Sequence, residues 1–429
     1  MIKPASLGAA IVLGGSALAL TAGLIPAQAA TSGWRTDITV TVRGSVTLFT
    51  SVAATSPADA WASGFSLKAK GTAAPESVIR QWTGKTWRSV TLPAKTAKAW
   101  ADQGPILTEV GAASVRKVWV FNSLQGTYLR LNGRRWSLGQ LPGASATSDT
   151  LIQIDAVKAF TGTNVWAFGE QDSISGTTEV SAPYAAHYNG SRWSKVTVPA
   201  LSSGGGAITA VAAVSSNNIW AVEGASASSS LPLAANPAVV RAVAASPTAK
   251  SAAARLRAAG SVAAAPVVLH WTSGTGWQQL AQQPDLAAGD QLVSAVTEPG
   301  GHVWFGGSAD NSAKGTSPLA AEWNGTSWSV ADLPGKASSA QFQLATMTPD
   351  GTGGIWAAAV DSSSGTERIW HLHGSTWSQA KPSFGKHPWV LVALAQAPRS
   401  QSVWGVGAVE GSSKSSANGL IGIEGTLPR

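Results

Sequence analysis

Two acidic residues, Glu109 and Asp155, have the type and placement for acid–base chemistry. Each lies in a short apolar segment that recurs along the chain, where the other copies have Ser, Thr, Ala or Val. A pair of carboxyl groups can act as general acid and general base in hydrolase or lyase chemistry. The two residues are one position out of phase, and successive strand residues face opposite sides of a sheet. We therefore predict that they point to opposite faces, and the sequence assigns no catalytic residue beyond these two candidates.

Three residues in connecting segments are candidates for ligand binding. Trp100 and Trp389 fall outside the recurring Trp positions of the chain. An aromatic ring that is not needed for packing can serve as a stacking platform for a ligand. Asp102 lies beside Trp100 in the same connection. For Trp389 the alternative is that it begins the innermost strand of the last repeat unit.

The sequence predicts neither a metal site nor a cofactor. The chain has no Cys, which excludes disulfides, thiolate ligands and a Cys nucleophile. Three of the six His residues occupy one recurring strand position, where other units have Gln81, Arg130 or Glu322. These are His187, His270 and His371. A position that accepts such different residues predicts a solvated or hydrogen-bonding role, and no His pair has metal-binding spacing. No phosphate-binding loop, dinucleotide fingerprint or Ser nucleophile motif is present in a usable context.

The elements that must position these residues are repeated strands. An apolar-Trp segment recurs at intervals of 47 to 84 residues. Its Trp residues are Trp61, Trp119, Trp166, Trp220, Trp304, Trp356 and Trp404. Between these copies lies a second signature, apolar-x-Gly-x-x-Trp, as in QWTGKTW, HYNGSRW and EWNGTSW. Repeats of this length with four short strands each are typical of propeller blades, so we predict an all-β, seven-bladed β-propeller with four antiparallel strands per blade. The Trp residues of both signatures are predicted to pack between blades.

The two ends of the chain predict how the ring closes. The C-terminal segment GLIGIEGTLPR stops before its second-signature Trp, and the segment TSGWRTDITVTV supplies one at Trp34. The separation from Trp34 to Trp61 is 27 residues, within the range of 27 to 32 found between the two signatures elsewhere. We therefore predict that the N-terminal strand closes the last blade, which removes exposed sheet edges.

Loop lengths indicate which face binds a ligand. Turns between the first and second strands, and between the third and fourth, are short and similar in every unit. All large length differences fall in the other connections, which emerge together on the opposite face. Variable loops on a rigid scaffold are common binding sites, so this variable-loop face is the candidate functional face. The largest insertion, residues 224–265 in blade 4, is Ala-rich and is predicted as either a low-complexity loop or a loosely packed helix.

The N-terminus reads as a targeting signal. Lys3 precedes an apolar run that ends at the cleavage pattern Ala27-Gln28-Ala29. We predict that residues 1–29 are removed and that residues 30–429 form a single secreted domain with no membrane span. The net charge of +8 includes four cations of the insertion, Arg241, Lys250, Arg255 and Arg257. No basic stripe repeats from unit to unit, so nucleic acid is not an expected partner.

The repeat resembles a group of secreted, actinobacterial-type Trp-rich propellers. The resemblance rests on SVAATSPADAWASG…RQWTGKTWRSVTLP and AVAAVSSNNIWAVEG…LHWTSGTGWQQL, and it covers nearly all of the predicted mature chain. These proteins look similar to kelch and galactose-oxidase-type propellers without a shared activity. The kelch double glycine is kept only at Gly306-Gly307, and the absence of Cys excludes the Cys–Tyr cofactor of galactose oxidase.

The sequence leaves two functional hypotheses open. The first is an exported, monomeric, non-enzymatic propeller that binds a glycan, wall polymer or protein on the variable-loop face. The second is a cofactor-free carbohydrate-active hydrolase or lyase with carboxylates in the central funnel. A deep axial pocket with two carboxyl groups favours the second hypothesis, and a shallow face with aromatic rings favours the first.

Overall fold

The computed structural model describes most of the chain after the predicted signal peptide. The described residues are 33–68, 75–103, 107–123, 125–144, 150–175, 178–199, 206–224, 265–298, 300–310, 316–334, 342–361, 366–412 and 416–425. The predicted signal peptide, and the insertion apart from its two end residues, lie outside them, and both predictions stay untested. Among the described residues, no helix is both long enough and apolar enough to cross a membrane.

Alternating apolar residues and Gly- or Asn-containing turns give the chain short strands joined by hairpins. In the first half the strands are β1 (Arg35–Val40), β2 (Ser45–Ser56), β3 (Asp59–Lys68), β4 (Glu76–Trp82), β5 (Trp87–Ser89), β6 (Thr108–Ser114), β7 (Lys117–Asn122), β8 (Thr127–Asn132), β9 (Arg135–Gln140), β10 (Thr150–Thr161), β11 (Asn164–Ser175), β12 (Thr178–Tyr188) and β13 (Trp193–Lys195). The second half forms β14 (Ala207–Ser215), β15 (Asn218–Gly224), β16 (Val267–Thr272), β17 (Gly276–Gln279), β18 (Gln291–Thr297), β19 (Val303–Asp310), β20 (Thr316–Trp323), β21 (Trp328–Asp332), β22 (Phe342–Pro349), β23 (Ile355–Asp361), β24 (Thr366–His373), β25 (Thr376–Gln379), β26 (Trp389–Gln396), β27 (Val403–Glu410) and β28 (Ala417–Glu424). One helix, α1 (Ala94–Ala101), joins β5 to β6.

The strands pair into four-stranded antiparallel sheets, as the repeat predicts. Five of these sheets are separate: β6–β9, β10–β13, β14–β17, β18–β21 and β22–β25. The remaining strands form one mixed eight-stranded sheet, in which β26, β27 and β28 join β2, β3, β4 and β5 through a single parallel bridge between Val46 and Ala417. That bridge is a difference from the expected sheets, and the division of the large sheet into a first and a last blade stays a prediction.

The N-terminal strand packs where the spacing of the Trp residues places it. β1 pairs antiparallel with β28, from Arg35 opposite Ile423 to Val40 opposite Gly419. The backbone carbonyl of Trp34 also accepts a hydrogen bond of 2.9 Å from the Ser383 amide. These bonds tie the start of the described chain to its last strand and to the connection between β25 and β26.

The core lies between neighbouring sheets. The first strands contact one another around a closed ring, β2, β6, β10, β14, β18, β22, β26 and back to β2. Trp404, Trp82 and Trp87 fill one gap between sheets, with the Trp404 ring centroid 5.1 Å from that of Trp82 and 5.0 Å from that of Trp87. Trp61 and Trp119 are equally buried, at 2% and 0% exposure. The predicted packing role of the recurring Trp residues is therefore confirmed for these positions.

Candidate functional site

A cavity of about 300 Å³ lies where the first strands of the sheets meet. Each of the seven first strands contributes at least three consecutive residues to its wall. Among them are the pairs Thr50-Ser51, Thr108-Glu109, Asp155-Ala156, Thr209-Ala210, Val293-Ser294, Ala345-Thr346 and Val392-Ala393. Leu107 and Ser123, at the ends of β6 and β7 that join the variable connections, also line it. The cavity therefore occupies the centre of the ring, toward the variable-loop face.

Bulges in the first strands explain how consecutive residues reach the same cavity. The strand pairing shifts register around one extra residue in β2, β10, β14, β18, β22 and β26. The extra residues are Thr50, Asp155, Thr209, Val293, Ala345 and Val392. A bulge sets two residues against one and redirects a side chain. Our expectation that Glu109 and Asp155 point to opposite faces was therefore wrong, because both line the cavity.

Most hydroxyl groups around the cavity hold neighbouring strands together. The Ser294 Oγ accepts a hydrogen bond of 2.8 Å from the Met347 amide, and the Thr346 Oγ1 accepts one of 3.2 Å from the Leu394 amide. Thr209 donates a bond of 2.6 Å to the Leu292 carbonyl. Each of these bonds joins the first strand of one sheet to the first strand of the next. The wall is thus fixed by structural hydrogen bonds between neighbouring first strands.

Glu109 takes the place that Ser51, Ser294 and Thr346 hold in other strands. Its Oε2 accepts a hydrogen bond of 2.9 Å from the Ser51 hydroxyl. Burial raises its pKa to about 8, the charge of Asp155 contributes in the same direction, and the Ser51 hydrogen bond and the charge of Lys158 oppose the rise. Glu109 is therefore largely protonated at neutral pH and can donate as well as accept a hydrogen bond.

Asp155 is the second carboxyl group of the cavity. Its Oδ1 accepts a hydrogen bond of 2.9 Å from the side-chain amide Nε2 of Gln153, while its Oδ2 is buried with no hydrogen-bond partner among the described residues. Burial raises its pKa to about 7, and the charge of Asp172 adds to this rise. A buried carboxylate oxygen without a partner is costly, and a raised pKa is the usual response.

Sequence reasoning missed a third ionisable group, Lys158, which lines the same cavity. Burial lowers its pKa to about 8, and the charge of Glu109 opposes the shift. Within the described part of the chain, its amine makes no hydrogen bond or ion pair. The available signal was its position in β10, where the equivalent residues of the other first strands are uncharged. These residues are Ala53, Gly111, Ala212, Val296, Thr348 and Ala395.

The three ionisable groups form no ion pair with one another. The ion pairs found among the described residues lie elsewhere and involve Lys98 with Asp102, His302 with Glu322, and His371 with Asp350. The cavity is therefore lined by two carboxyl groups and one amine that do not form ion pairs with one another. Such a wall can bind a small polar ligand that both donates and accepts hydrogen bonds, and its carboxyl groups have pKa values near those of acid–base catalysts.

The predicted ligand-binding residues lie elsewhere on the variable-loop side. Trp100 belongs to α1, which sequence reasoning did not predict, although Pro93 precedes a run of Ala and Lys that favours a helix. Its ring is only 2% exposed, and its Nε1 donates a hydrogen bond of 2.7 Å to the Ser77 hydroxyl. The Trp100 ring thus packs between sheets and presents no open face. Its role in ligand binding stays a prediction.

Asp102 and Trp389 are more accessible. Asp102 follows α1, is exposed, and forms an ion pair of 2.9 Å with Lys98. Trp389 is the first residue of β26, as the alternative interpretation had it, and its half-buried ring lies 4.9 Å from that of Phe384. Neither residue lines the cavity. Among the described residues, no cluster of three or more His, Asp or Glu side chains is arranged to hold a metal ion.

Comparisons with known proteins bear on the fold. No protein-family model and no curated protein sequence matches the chain. The solved structure of YCF48 bound to a D1 peptide is 12% identical, with a TM-score of 0.50, and the match covers 92% of this chain and 96% of the other. A fucose-specific lectin from Aleuria aurantia is 11% identical with a TM-score of 0.42, covering 82% of this chain and 100% of the lectin.

A sialidase from Trypanosoma rangeli is 8% identical with a TM-score of 0.39, and the match covers 90% of this chain and 54% of the sialidase. Likeness at such low identity is informative about architecture only. Together with the strand pairing, the YCF48 match identifies the architecture: the chain is an all-β protein of four-stranded antiparallel sheets arranged as a β-propeller.

Proposed function

We propose that this protein is an exported, monomeric, seven-bladed binding propeller without enzymatic activity. Its ligand is a glycan or a related hydroxylated wall polymer, one residue of which enters the central cavity from the variable-loop face. The proposal of seven blades is supported by the seven first strands that follow one another around the ring. Export is supported by the N-terminal sequence pattern.

One observation carries the binding proposal: Glu109, Asp155 and Lys158 line one cavity without an ion pair between them. Burying ionisable groups without partners costs stability, and functional sites are where proteins retain such groups. A sugar residue offers hydroxyl groups that both donate and accept, which suits a protonated carboxyl, an ionisable carboxyl and an amine together. A cavity of about 300 Å³ lies at the small end of ligand pockets, which favours a short terminal group of a glycan.

The binding proposal is tested with a panel of glycans and cell-wall fractions, read by isothermal titration calorimetry. The test variant is Lys158→Met, and the matched control is Lys195→Met on an exposed outer strand. We expect Lys158→Met to weaken binding at least about tenfold, equivalent to one charge-assisted hydrogen bond, while the control stays within about twofold. Equal affinity in both variants would move the site away from the cavity, and Trp389→Ala and Asp102→Ala would then test the loop face.

A second function is favoured by the pKa values of the two carboxyl groups. Burial raises the pKa of Glu109 to about 8 and that of Asp155 to about 7, which are suitable values for a general acid and a general base near neutral pH. The corresponding activity is a cofactor-free hydrolase or lyase acting on a carbohydrate. It predicts product release from a bound polymer, abolished separately by Glu109→Gln and by Asp155→Asn. Binding without any product release rejects this function and retains the first.

A further inference from the structure

Seven cations lie along one edge of three consecutive sheets, β2–β5, β6–β9 and β10–β13. They are Lys85, Arg88, Arg116, Lys117, Arg134, Arg135 and Arg192, and we call them the basic edge. All of them are exposed except Lys117, which is half-buried. They occupy the short turns between first and second strands and between third and fourth strands, or the first two residues after those turns.

The strand pairing brings these turns together. In the β6–β9 sheet, Lys117 is opposite Asn132, and Asn132 is opposite Arg135. The carbonyl of Arg116 accepts a hydrogen bond of 2.9 Å from the Gly133 amide, which joins the two turns of that sheet. The next sheet is in direct contact: a Cβ added to Gly162, in the turn after β10, would lie 2.9 Å from the Lys117 side chain. Cations of neighbouring sheets thus share one continuous surface.

This surface has a strong charge excess. On the short-turn edge of these three sheets, the β2–β3 turn leads into one acidic residue, Asp59, which is 6% exposed and accepts hydrogen bonds of 2.5 Å from Thr55 and 3.1 Å from Gln81. Within the described residues, none of the seven cations forms an ion pair. The corresponding edge of the later sheets carries Arg399 and four acidic residues. The acidic residues are Glu298, Glu322, Asp350 and Glu424.

We propose that the basic edge binds a linear polymer of phosphate groups. Five of the seven cations are Arg, whose planar fork of donors matches the oxygens of a phosphate. The cations are spread over three sheets, and adjacent strands lie about 4.8 Å apart, so one four-stranded sheet alone spans roughly 15 Å. A surface of that length suits a polymer with regularly spaced charges better than a single small anion.

The aromatic rings of this edge favour a phosphate polymer over nucleic acid. Single-stranded nucleic acids are held largely by bases that stack on exposed aromatic side chains. Here Trp82 and Trp136, which flank the turns at Lys85 and Arg134, are 6% and 9% exposed. They are packed between sheets and offer no ring face to a base. The edge also lies at the end of the strands opposite the opening of the central cavity, so this proposal does not depend on the ligand of the cavity.

The test is binding of inorganic polyphosphate to the full chain at several salt concentrations. The test variant combines Arg116→Gln, Arg134→Gln and Arg135→Gln. The matched control combines Arg43→Gln, Lys68→Gln and Lys95→Gln, which removes the same charge from exposed residues of the variable connections at the opposite edge. We expect binding of the unmodified protein to weaken steeply with salt. The test variant should bind at least about tenfold more weakly and reduce the salt slope by about 2, because each of the three lost phosphate contacts removes about 0.7 units on a single-stranded polyanion.

Each other outcome overturns the proposal. Equal losses in the two triple variants would show an effect of net charge alone. A poly-glutamate of matched charge that binds as tightly as polyphosphate would reject phosphate recognition. Single-stranded DNA that binds more tightly than polyphosphate, with a base preference, would replace the proposal with nucleic-acid binding. Thermal unfolding of each variant checks that the fold is retained.

Discussion

The imidazole ring of His371 lies flat on the indole ring of Trp356, with ring centroids 4.0 Å apart and planes 8° apart. The same stacking joins His187 to Trp166 and His270 to Trp220, at 4.5 Å and 4.3 Å. Each His also hydrogen-bonds a residue near the preceding turn: Asp350 at 2.8 Å, Asn164 at 3.0 Å and Asn218 at 2.9 Å. The recurring His position therefore forms the hydrogen bond that the sequence predicted, and it also stacks on a Trp ring, which the sequence did not predict.

In the β22–β25 sheet the partner of the recurring His is a carboxylate, Asp350. Protonation of this carboxylate in acid should weaken the fold. Asp350 accepts bonds of 2.6 Å from the Thr352 amide and 2.9 Å from the Gly354 amide, besides that from His371. Burial acts to raise the pKa of Asp350, but these hydrogen bonds outweigh it and hold the pKa below its usual value. A lowered folded-state pKa contributes stability above the unfolded value of about 3.9, and that stability is lost as the pH falls further.

We therefore expect Asp350→Asn to lower the free energy of unfolding at pH 7 by about 1–3 kcal/mol, since several buried donors lose a charged acceptor. The variant should also lose less additional stability than the unmodified protein between about pH 4 and pH 2. Urea unfolding across this range measures both effects. Asp285→Asn, in an exposed loop, is the control and should change neither. Parallel pH profiles for Asp350→Asn and the unmodified protein would contradict the assignment.

For the cavity we expect stability to be lost at alkaline pH rather than in acid. Burial raises the pKa of Glu109 from 4.5 to about 8, so its protonated form is favoured in the folded chain. A raised carboxyl pKa gives stability that is fully present below the unfolded value and is lost as the pH rises through the folded value. Stability should therefore fall between about pH 4.5 and pH 8, and Glu109→Gln should remove part of this fall.

At pH 9 we expect Glu109→Gln to be more stable than the unmodified protein by about 2 kcal/mol, less than the full shift implies because the cavity admits water. Chemical unfolding at pH 5 and pH 9 provides the measurement. Glu76→Gln, at an exposed position of β4, is the matched control and should show no such pH-dependent gain. If Glu109→Gln were equally destabilising at both pH values, the carboxyl would be ionised in the folded state and the acid–base hypothesis would lose its basis.

The sequence predicted the repeat better than it predicted the site. The recurrence of Trp61, Trp119 and their equivalents at one strand position indicates the strand order directly, because large rings at a repeated strand position must fill repeated gaps between sheets. The position of the N-terminal strand was predictable from Trp34 for the same reason. The parallel bridge between Val46 and Ala417 had no such signal, because backbone pairing at a sheet edge leaves no particular residue type.

The geometry of the cavity was not predictable because bulges changed the alternation of side chains between the two faces of the first strands. The bulged residues are of several types and include no Gly, so the period of two appeared unbroken at Asp155. Lys158 went unnoticed because a single Lys in a strand usually faces solvent. Trp100 was taken for a loop residue because its helix has eight residues and few apolar side chains other than Ala.

Substitutions of Trp100 distinguish a role in packing from a role in ligand binding. Its buried ring lies among the Trp61, Val110 and Leu129 side chains, and its Nε1 bonds Ser77. We expect Trp100→Ala to cost about 3–5 kcal/mol of unfolding free energy, the usual loss for a buried aromatic side chain, and Trp100→Phe to cost less. Glycan affinity of the folded fraction should stay within about twofold. A stable Trp100→Ala variant with lost binding would restore the predicted ligand platform.

Closure by the N-terminal strand gives the last prediction. Trp34 is 1% exposed, and its ring lies 5.6 Å from Trp356 and 6.1 Å from Phe384, so it fills the gap between the β22–β25 sheet and β26–β28. Trp34→Ala should cost about 3–5 kcal/mol and loosen β1 on β28. Because β1 covers the free side of β28, its release exposes a row of backbone groups, and aggregation should rise with it.

Hydrogen exchange of the β28 amides measures the release of β1 directly. Thr39→Ala, at an exposed position of β1, is the control and should leave the protection of Leu420 and Ile421 unchanged. If Trp34→Ala destabilised the chain without faster exchange in β28, the ring would stabilise its neighbours without holding the strand in place, and closure would depend on the backbone bonds of β1 alone.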